Sequence, residues 1–471
     1  MINSSYDTIA AIATSLGESG IGIVRISGGE ALRIADTVFS AKSKNKPSQC
    51  TSHTLHYGWV VDAQGDTVQT ALSQKSGSVI DEVLLAIMRA PRSYTREDVV
   101  EIHCHGGLIA VRAVLELVLA CGARLAEPGE FTRRAFLNGR IDLTQAEAVA
   151  DVISAKTDSA LRQGLLQLQG GLAKKSRKIR QILVGALAQL EALIDFPEEE
   201  IDAAGNDSLR KAFDSAHDEL AALLLGARQG AVLREGVHVV ICGKPNAGKS
   251  SLLNALLKKE RSIVTPIAGT TRDCIEEIID IRGIPVRIVD TAGIIEPRNL
   301  VERKAVARAR QQIRTADLAL LVFDGSKKLD AKDAFLMRSL KAKRVIAIIN
   351  KIDMKQRIAQ VRIARSFPAL VRISAKRSTN LADLETAIEI ALLQGKVQVE
   401  SSLLGNRRHT QQLRKAQNLV AEARNSLDNS VSPEITAQLL RDCLEVFDIL
   451  LGLRFSEEVL EEIFTSFCIG K

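Results

Sequence analysis

One octet constrains the fold of this chain more than any other feature: Gly243-Lys244-Pro245-Asn246-Ala247-Gly248-Lys249-Ser250. It follows an apolar run at 237–242 and precedes a second at 251–257, which gives the strand, glycine-rich loop and helix of the phosphate-binding loop G-x-x-x-x-G-K-[ST]. The two glycines let consecutive backbone N–H groups turn towards a phosphate, and the helix that begins there adds its positive end. Lys249 supplies a charge for the β- and γ-phosphates, and the Ser250 hydroxyl supplies a ligand for Mg²⁺. The octet therefore predicts a P-loop nucleotide-binding domain.

Three further motifs follow in the order of a guanine-nucleotide-binding domain. Asp290-Thr291-Ala292-Gly293 ends a predicted strand, where a carboxylate faces Mg²⁺ through water and a glycine N–H senses the γ-phosphate. Asn350-Lys351-Ile352-Asp353 reads guanine, because the Asp353 carboxylate accepts from N1–H and from the exocyclic amine. The backbone of Ser374-Ala375-Lys376 would reach guanine O6. Four motifs at these spacings predict GTP binding.

GTP hydrolysis in this chain needs a group other than the usual glutamine to orient the attacking water. Small signalling GTPases orient the attacking water with a glutamine directly after D-x-x-G, but this chain has Ile294 there. Asn246 offers a side-chain oxygen beside the β,γ-phosphate edge, and the stretch 265–273 offers carbonyls and a threonine for Mg²⁺. Together they could hold a monovalent cation where an arginine finger would otherwise lie. The residues expected to contact GTP are Asn246, Ala247, Gly248, Lys249, Ser250, Ser251, Thr265, Pro266, Ile267, Ala268, Gly269, Thr270, Thr271, Asp290, Thr291, Ala292, Gly293, Asn350, Lys351, Asp353, Ser374, Ala375 and Lys376.

Composition limits what surrounds this domain. A length of 471 residues suggests roughly three domains, and 46% hydrophobic with 25% charged residues is typical of a soluble globular protein. The net charge of +7 allows a polyanionic partner such as RNA without requiring one. Seven cysteines without a CxxC pair are expected to be reduced thiols. Neither a secretory signal nor an uncharged apolar run of about 18 residues is found, so we expect a cytoplasmic protein that does not enter a membrane.

The patterning divides the chain into a multidomain protein. We predict an α+β N-terminal domain over 1–130, the first part of a helical domain over 131–232, an inserted α/β P-loop GTPase domain of Ras-like type over 233–398, and the second helical part over 399–471. Two clusters leave alternatives open. His103, Cys104 and His105 form either a metal site or, as we favour, a structural strand end, because neighbouring strand residues point to opposite faces. The basic run 174–180 either binds nucleic acid or, as we favour, is a solvated helix face.

Taken together, the motifs resemble one family. G-x-P-N-A-G-K-S, A-G-T-T-R-D, D-T-A-G and N-K-x-D, with the terminal Phe467-Cys468-Ile469-Gly470-Lys471, are similar to the MnmE (TrmE) family of tRNA-modification GTPases. The resemblance covers the whole chain, including the stretches 22–28, 106–107, 128–131 and 134–138.

The resemblance implies a function and a set of partners. It implies the GTP-hydrolysing component that installs a carboxymethylaminomethyl or aminomethyl group at carbon 5 of the tRNA wobble uridine. It further implies an N-terminal domain that dimerises and binds a tetrahydrofolate one-carbon donor, an FAD-carrying partner of the MnmG (GidA) type in a heterotetramer, and GTPase activation by potassium-dependent dimerisation of G domains. A GTP-switched ribosome-assembly or RNA-binding GTPase remains the alternative, because its G motifs would look the same.

The resemblance also implies roles for particular residues, each carried over by its motif. Glu302 matches a carboxylate that positions the attacking water through a second water, although a glutamate favoured by a helix N-terminus is an alternative explanation. Asp290 belongs to the hydrolytic site, and Cys468 is a candidate for the modification chemistry. Matched ligand positions are Ser250 and Thr271 for magnesium; Asn246, Thr265, Ile267 and Thr270 for potassium; and Arg25, Glu101, Lys471 and Arg140 for folate, the last at a place where a lysine is also seen.

Overall fold

The computed structural model describes residues 7–41, 45–62, 78–196, 203–259, 277–290, 311, 313–393, 403–429 and 431–471. The chain divides into two compact units, one formed by Met1–Ala150 with Leu451–Lys471 and the other by Asp151–Leu450. The last segment of the chain therefore belongs with the N-terminal residues, whereas the sequence boundaries grouped 399–471 with the helices before it.

The first unit contains a mixed seven-stranded sheet in the order β3-β4-β5-β6-β2-β1-β7, in which only the β1–β7 pairing is parallel. Its strands are β1 (Ile9–Ile12), β2 (Gly22–Ser27), β3 (Phe39–Ser40), β4 (Thr54–Asp62), β5 (Ser78–Met88), β6 (Val99–Cys104) and β7 (Arg124–Leu125). Helices α1 (Ala31–Val38) and α2 (Leu108–Ala120) pack on one face through a shared apolar core. Buried residues alternate with more accessible ones along Gly22–Arg25 of β2 and Val83–Met88 of β5, as expected of a sheet packed on one face.

The C-terminal helix of the chain completes this first unit. Helices α3 (Glu130–Leu137) and α4 (Leu143–Ser154) follow the sheet, and α15 (Glu457–Thr465) packs against them through one apolar cluster. Leu460 and Phe464 at i and i+4 lie on the same face of α15 and are both buried there. This cluster is the physical reason why 451–471 belongs with the first unit.

The second unit contains a helical part with its own core. Its helices are α5 (Asp158–Leu168), α6 (Gly171–Asp195), α7 (Ala203–Leu225), α8 (Ala227–Glu235), α13 (Arg407–Asp428) and α14 (Pro433–Leu451). Leucines and alanines at helical spacing on α6, α7, α13 and α14 form one continuous buried cluster. Helices that precede the α/β region in the sequence therefore share one core with helices that follow it.

That α/β region is a six-stranded sheet in the order β13-β12-β11-β8-β10-β9. The strands are β8 (Val237–Gly243), β9 (Glu277–Ile281), β10 (Ile284–Asp290), β11 (Leu318–Asp324), β12 (Val345–Asn350) and β13 (Leu370–Arg372), and only β9 runs antiparallel to its neighbour. Helices α9 (Lys249–Lys259), α10 (Ala331–Ser339), α11 (Gln360–Ser366) and α12 (Leu381–Leu393) cover it. Both β11 and β12 are buried along their whole length, as expected of a parallel sheet covered on two faces.

The multidomain fold class predicted from sequence is confirmed: an α+β part, a helical part and a P-loop α/β part are all present. Among the described residues, no helix is both long and apolar enough to cross a bilayer.

Candidate nucleotide-binding and folate-binding sites

The predicted P-loop connects β8 to α9 at the carboxyl edge of the parallel sheet. Gly243 has a φ of 151°, and a Cβ there would lie 2.5 Å from the carbonyl oxygen of Val322 in β11. Gly248 has a φ of 97°, and a Cβ there would collide with the side-chain amide of Asn350. Both glycines are therefore required by close approach of the loop to its neighbours.

The loop presents one buried and two exposed groups. Lys249 is 9% exposed, and its Nζ donates to the carbonyl oxygen of Lys244 at 3.1 Å. Asn246 is exposed and holds a left-handed φ of 62°, while Ser250 is exposed at the first turn of α9. The arrangement places an ammonium group, an amide and a hydroxyl around one loop, which is the donor set that phosphate and a hard cation require.

Asn350 joins three of the predicted motifs. It is 2% exposed, and its Nδ2 donates to the carbonyl of Ala247 at 3.0 Å. Its Oδ1 accepts from the N–H groups of Lys351 at 2.8 Å and Ala375 at 3.0 Å. The first residue of N-K-x-D thus holds the P-loop and the S-A-K loop together with one buried amide.

Lys351 and Asp353 carry the exposed side of the guanine site. The Nζ of Lys351 donates to the carbonyl of Asn246 at 2.8 Å and forms an ion pair of 2.7 Å with Asp324. The Oδ1 of Asp353 accepts from the Ser374 hydroxyl at 2.6 Å, and this hydrogen bond holds the pKa of Asp353 below its ordinary value. The carboxylate therefore stays charged and available to the two guanine donors. Lys376 is exposed at the end of the S-A-K loop.

The predicted D-x-x-G loop begins within the described residues. Asp290 ends β10 and pairs in register with Ile241 of β8, which brings the start of the D-x-x-G loop to the same sheet edge as the P-loop. The following predicted contacts lie outside the described residues and stay predictions: Thr265, Pro266, Ile267, Ala268, Gly269, Thr270, Thr271, Thr291, Ala292, Gly293 and Glu302.

A second group of predicted residues meets in the first unit, on β2 and β6. Arg25 and Glu101 are cross-strand partners, and their side chains form an ion pair of 2.7 Å. His103 lies 3.3 Å from the other Glu101 oxygen. The Arg25 guanidinium also lies over the ring of Tyr94 at 5.8 Å from the centroid. Arg25 is thus held by a partly buried network of one carboxylate and one aromatic ring.

Aromatic rings bring the remaining predicted folate contacts to the same place. The guanidinium of Arg140 lies 4.7 Å from the Tyr94 centroid, and that of Arg25 lies 5.6 Å from the Phe131 centroid. Phe131 donates its N–H to the carbonyl of Lys471 at 3.2 Å. Arg25 and Arg140 therefore lie over aromatic rings, while Glu101 joins this group through Arg25 and Lys471 through its backbone carbonyl. Sequence reasoning missed Tyr94, for which the only signal was its rarity, since the chain has three tyrosines.

The C-terminal residues are fixed by main-chain contacts to this site. Arg25 Nη1 donates to the carbonyl of Gly470 at 3.2 Å, and Gly129 donates to the carbonyl of Cys468 at 3.5 Å. Gly470 is buried with a φ of 95°, and a Cβ there would collide with the carbonyl of Ile12. Cys468 itself is exposed. The tail is therefore a docked segment of the site.

The side chains of His103, Cys104 and His105 at the end of β6 do not converge on one point, as expected of neighbouring residues on a strand. Cys104 is buried, its Sγ donates to the carbonyl of Gly22 at 3.3 Å, and burial raises its pKa to about 11. His105 is exposed and contacts Asp81 at 2.6 Å, which raises the pKa of the imidazole. Among the described residues, no group of three or more ligand-type side chains could hold a metal ion.

A parallel α/β sheet with a phosphate-binding loop, an N-K-x-D loop and an S-A-K loop bound together at one edge defines a P-loop GTPase. The chain matches the family model described as MnmE helical domain over residues 143–468, and the model described as GTP-binding protein TrmE N-terminus over residues 8–140. This chain belongs to the MnmE family.

Two curated relatives agree with this assignment over their full length. The chain is 44% identical to the tRNA modification GTPase MnmE of Carboxydothermus hydrogenoformans over 469 residues, which is 99% of each chain. It is also 44% identical over 468 residues to the protein of the same name from Clostridioides difficile, again covering 99% of each. Among solved structures, Aquifex aeolicus Era Y63A bound to GDP·AlF4⁻ is 30% identical, with 39% of this chain and 66% of that chain covered and a TM-score of 0.29.

Proposed function

We propose that this GTPase is the GTP-hydrolysing component of tRNA wobble-uridine modification, which places a carboxymethylaminomethyl or aminomethyl group at carbon 5. The observation that supports this most is the docking of the terminal Cys-x-Gly-Lys segment on the Arg25–Glu101 pair. A GTP-dependent switch alone gives no reason for the backbone of this segment to be bound at a charged and aromatic site. The curated relatives, which cover the full length of the chain, carry the name tRNA modification GTPase.

The residues around Tyr94 and Phe131 fit a folate one-carbon donor. A flat heterocycle can stack on the partly exposed ring of Tyr94, a carboxylate such as Glu101 accepts from its amino group, and the cations Arg25, Arg140 and Lys471 suit its acidic tail. The Phe131 ring is fully buried and packs against Arg25. Bound there, a tetrahydrofolate derivative would supply the one-carbon unit. Glu101 and Arg25 would orient the donor through their existing ion pair, and Cys468 would take part in the modification chemistry.

In the GTPase site, the proposal assigns two cations. Ser250 and Thr271 would ligate Mg²⁺, and Asn246, Thr265, Ile267 and Thr270 would ligate K⁺. The carbonyl of Asn246 is held by the Lys351 ammonium group, so its exposed side chain is presented from a fixed backbone. Asp290 and Glu302 would complete the hydrolytic site, with Glu302 positioning the attacking water.

The proposal also includes an assembly. It comprises a homodimer that binds tRNA and joins an FAD-carrying partner of the MnmG (GidA) type in a heterotetramer in the cytoplasm, with hydrolysis activated by potassium-dependent pairing of G domains. The domain division 1–130, 131–232, 233–398 and 399–471 is proposed as the functional one, with the last segment contributing its tail to the folate site.

The test is nucleoside mass analysis of tRNA from cells that lack this protein. The cells are complemented with wild type, with Asp353→Asn, which removes a guanine acceptor, or with Asp383→Asn, an exposed carboxyl on α12 as the matched control. We expect the modified wobble uridine to return with wild type and Asp383→Asn only. An unchanged nucleoside profile in the deletion cells would refute the proposal and move the function to the ribosome-assembly alternative.

A further inference from the structure

Lys244, the second residue of the P-loop octet, is bound to a pair of carboxylates outside the four nucleotide-binding motifs. Its Nζ donates to Asp330 at 2.8 Å and to Asp333 at 2.6 Å. Both aspartates lie at the start of α10, Asp330 as the N-cap and Asp333 in the first turn. One side chain therefore joins the P-loop to the amino-terminal end of a helix that follows β11.

The two carboxylates are already fixed by the backbone of α10. Asp330 Oδ1 accepts from the N–H groups of Lys332 at 3.0 Å and of Asp333 at 3.1 Å, and Asp333 Oδ2 accepts from the N–H of Asp330 at 3.1 Å. This reciprocal cap satisfies N–H groups that a helix leaves unpaired at its start. Lys244 thus binds an acceptor that is held in place without it, which lowers the entropic cost of its ion pairs.

The contact is partly shielded from water. The side chain of Asp333 is 6% exposed and that of Lys244 is 16% exposed, whereas Asp330 is 54% exposed. The hydrogen bond from Lys244 is the largest cause that lowers the pKa of Asp330, to about 2. The Lys244–Asp333 pair is therefore the stronger half of the contact, because exposed ion pairs contribute little.

The main chain of Lys244 supports the phosphate-binding part of the loop. Its carbonyl accepts from the N–H of Ala247 at 3.3 Å and from the Nζ of Lys249 at 3.1 Å. The residue that anchors the loop to α10 through its side chain therefore also holds Lys249 through its backbone. A shift of this residue would move the ammonium group that reaches the β- and γ-phosphates.

The connection between β11 and α10 holds the loop at a second point. Asp324, at its start, forms an ion pair of 2.7 Å with Lys351, whose Nζ donates to the carbonyl of Asn246 at 2.8 Å. Ser326 fixes the same carboxylate through its N–H at 3.0 Å and its hydroxyl at 2.6 Å. The carboxylates of this connection thus hold the P-loop at two residues, 244 and 246.

We propose that Lys244 is a positioning residue of the GTPase, whose ion pairs with Asp330 and Asp333 keep the P-loop in its nucleotide-binding conformation. Nucleotide affinity then depends on an attachment made to α10 and not to the nucleotide. Without it, the loop has to be ordered when the phosphates bind, and that entropic cost weakens binding.

The first test compares Lys244→Met with Lys332→Met, which removes the same charge from an exposed position on α10. Binding of a fluorescent GDP analogue and the kcat and KM for GTP are measured with the full chain. We expect Lys244→Met to bind GDP about tenfold more weakly and to raise KM more than it lowers kcat, Lys332→Met to stay within about twofold of wild type, and Lys244→Arg to recover most of the loss. Unchanged GDP affinity in Lys244→Met would overturn the proposal.

A double-mutant cycle separates positioning from general destabilisation. If Lys244 acts through Asp333, then Lys244→Met combined with Asp333→Asn weakens GDP binding no more than the worse single variant does. Fully additive losses would show that the two side chains act independently and would contradict the inference.

Asp330→Asn tests the same contact in a variant that keeps its fold, because asparagine is as good an N-cap as aspartate. We expect about threefold weaker GDP binding at low ionic strength, with the difference from wild type narrowing as sodium chloride is added, since this half of the pair is exposed. Equal affinity of Asp330→Asn and wild type at low salt would count against the proposal.

Discussion

Arg25 donates a hydrogen bond of 3.2 Å to the carbonyl oxygen of Gly470, and so ties the second strand of the first unit to the penultimate residue of the chain. The same guanidinium is paired with Glu101 at 2.7 Å. One arginine thus aligns a carboxylate and the backbone of the C-terminal tail, which the N–H groups of Gly129 and Phe131 also hold at this place.

Gly470→Ala should release the tail. A Cβ at this residue meets the carbonyl of Ile12, and the left-handed φ of 95° is unfavourable for alanine. We expect Lys471 to be removed by carboxypeptidase B at least tenfold faster than in wild type, while GTP turnover in vitro stays the same. Ile469→Ala, at an exposed neighbour, is the control. Equal rates of Lys471 release in both variants would show that the tail does not need this glycine.

Asn350→Ala should weaken nucleotide binding strongly, because one buried amide makes two hydrogen bonds to neighbouring loops and a third within its own loop. The variant leaves the buried N–H of Ala375 and the buried carbonyl of Ala247 without this partner, which costs about 1–3 kcal/mol each. We expect at least a hundredfold loss of GDP affinity by titration. Asn254→Ala, exposed on α9, should bind as wild type does; a similar loss in both would refute the prediction.

Asp353→Asn should change which base is bound. The substitution replaces an acceptor by an amide whose donors suit the 2-oxo group of xanthine, so we expect GTP hydrolysis to be lost and XTP hydrolysis to replace it. Ser374→Ala, which removes the hydrogen bond of 2.6 Å to Asp353, should keep guanine preference with reduced affinity. Steady-state rates of hydrolysis are measured with GTP and with XTP. If Asp353→Asn hydrolyses XTP no faster than wild type does, the assignment of Asp353 to guanine recognition is contradicted.

Potassium should stimulate GTP turnover well above sodium in wild type, and Asn246→Ala should lose the difference between the two salts. The reason is that the predicted cation would take the place of an arginine finger next to the β,γ-phosphate edge. Turnover is measured at constant ionic strength in KCl and in NaCl. Equal wild-type rates in the two salts would remove the potassium assignment, whatever the behaviour of the variant.

Acid should destabilise the first unit through Glu130. Burial opposes ionisation of this carboxyl, but hydrogen bonds from Arg124 and Arg134 hold its pKa below the ordinary value of 4.5. Since the folded pKa is the lower one, the stabilisation is fully present above about pH 4.5 and is lost as the pH falls through the folded pKa. Glu130→Gln should lower the free energy of unfolding by about 2 kcal/mol at pH 7 and by much less at pH 3.

The measurement for Glu130 is specific to this unit. The single tryptophan of the chain, Trp59, lies in β4, so its fluorescence during urea unfolding reports the first unit. Glu127→Gln, at an exposed carboxyl three residues away, is the control. If Glu130→Gln lowers the free energy of unfolding by the same amount at pH 7 and at pH 3, the charge of Glu130 does not contribute to stability.

The GTP site could be predicted because its motifs are local. Each follows a strand of a parallel sheet, and the carboxyl ends of such strands meet at one edge, so Lys249, Asn350 and Ser374 had to come together. The bond between Asn350 and the P-loop follows from that topology. The ion pair of Lys244 with Asp333 does not, because it joins residues 89 positions apart and neither belongs to a recognised spacing.

The predicted folate residues could not be grouped by local reasoning. Only the resemblance to a family placed Arg25 with Glu101 and Lys471. The structure gives the reason: Arg25 and Gly470 are 445 positions apart, and Tyr94 lies in a loop with no motif. Tertiary packing alone brings these groups to one place.

The membership of Leu451–Lys471 in the first unit has a consequence for biosynthesis. A ribosome releases the strands of the first unit hundreds of residues before it releases α15 and the tail. Leu460 and Phe464 cover the apolar surfaces of Phe136 and Leu143 in the folded protein. These surfaces therefore stay uncovered until α15 has been synthesised. This unit is therefore completed only after α15 has been synthesised, and a nascent chain stalled before α15 offers those surfaces to chaperones.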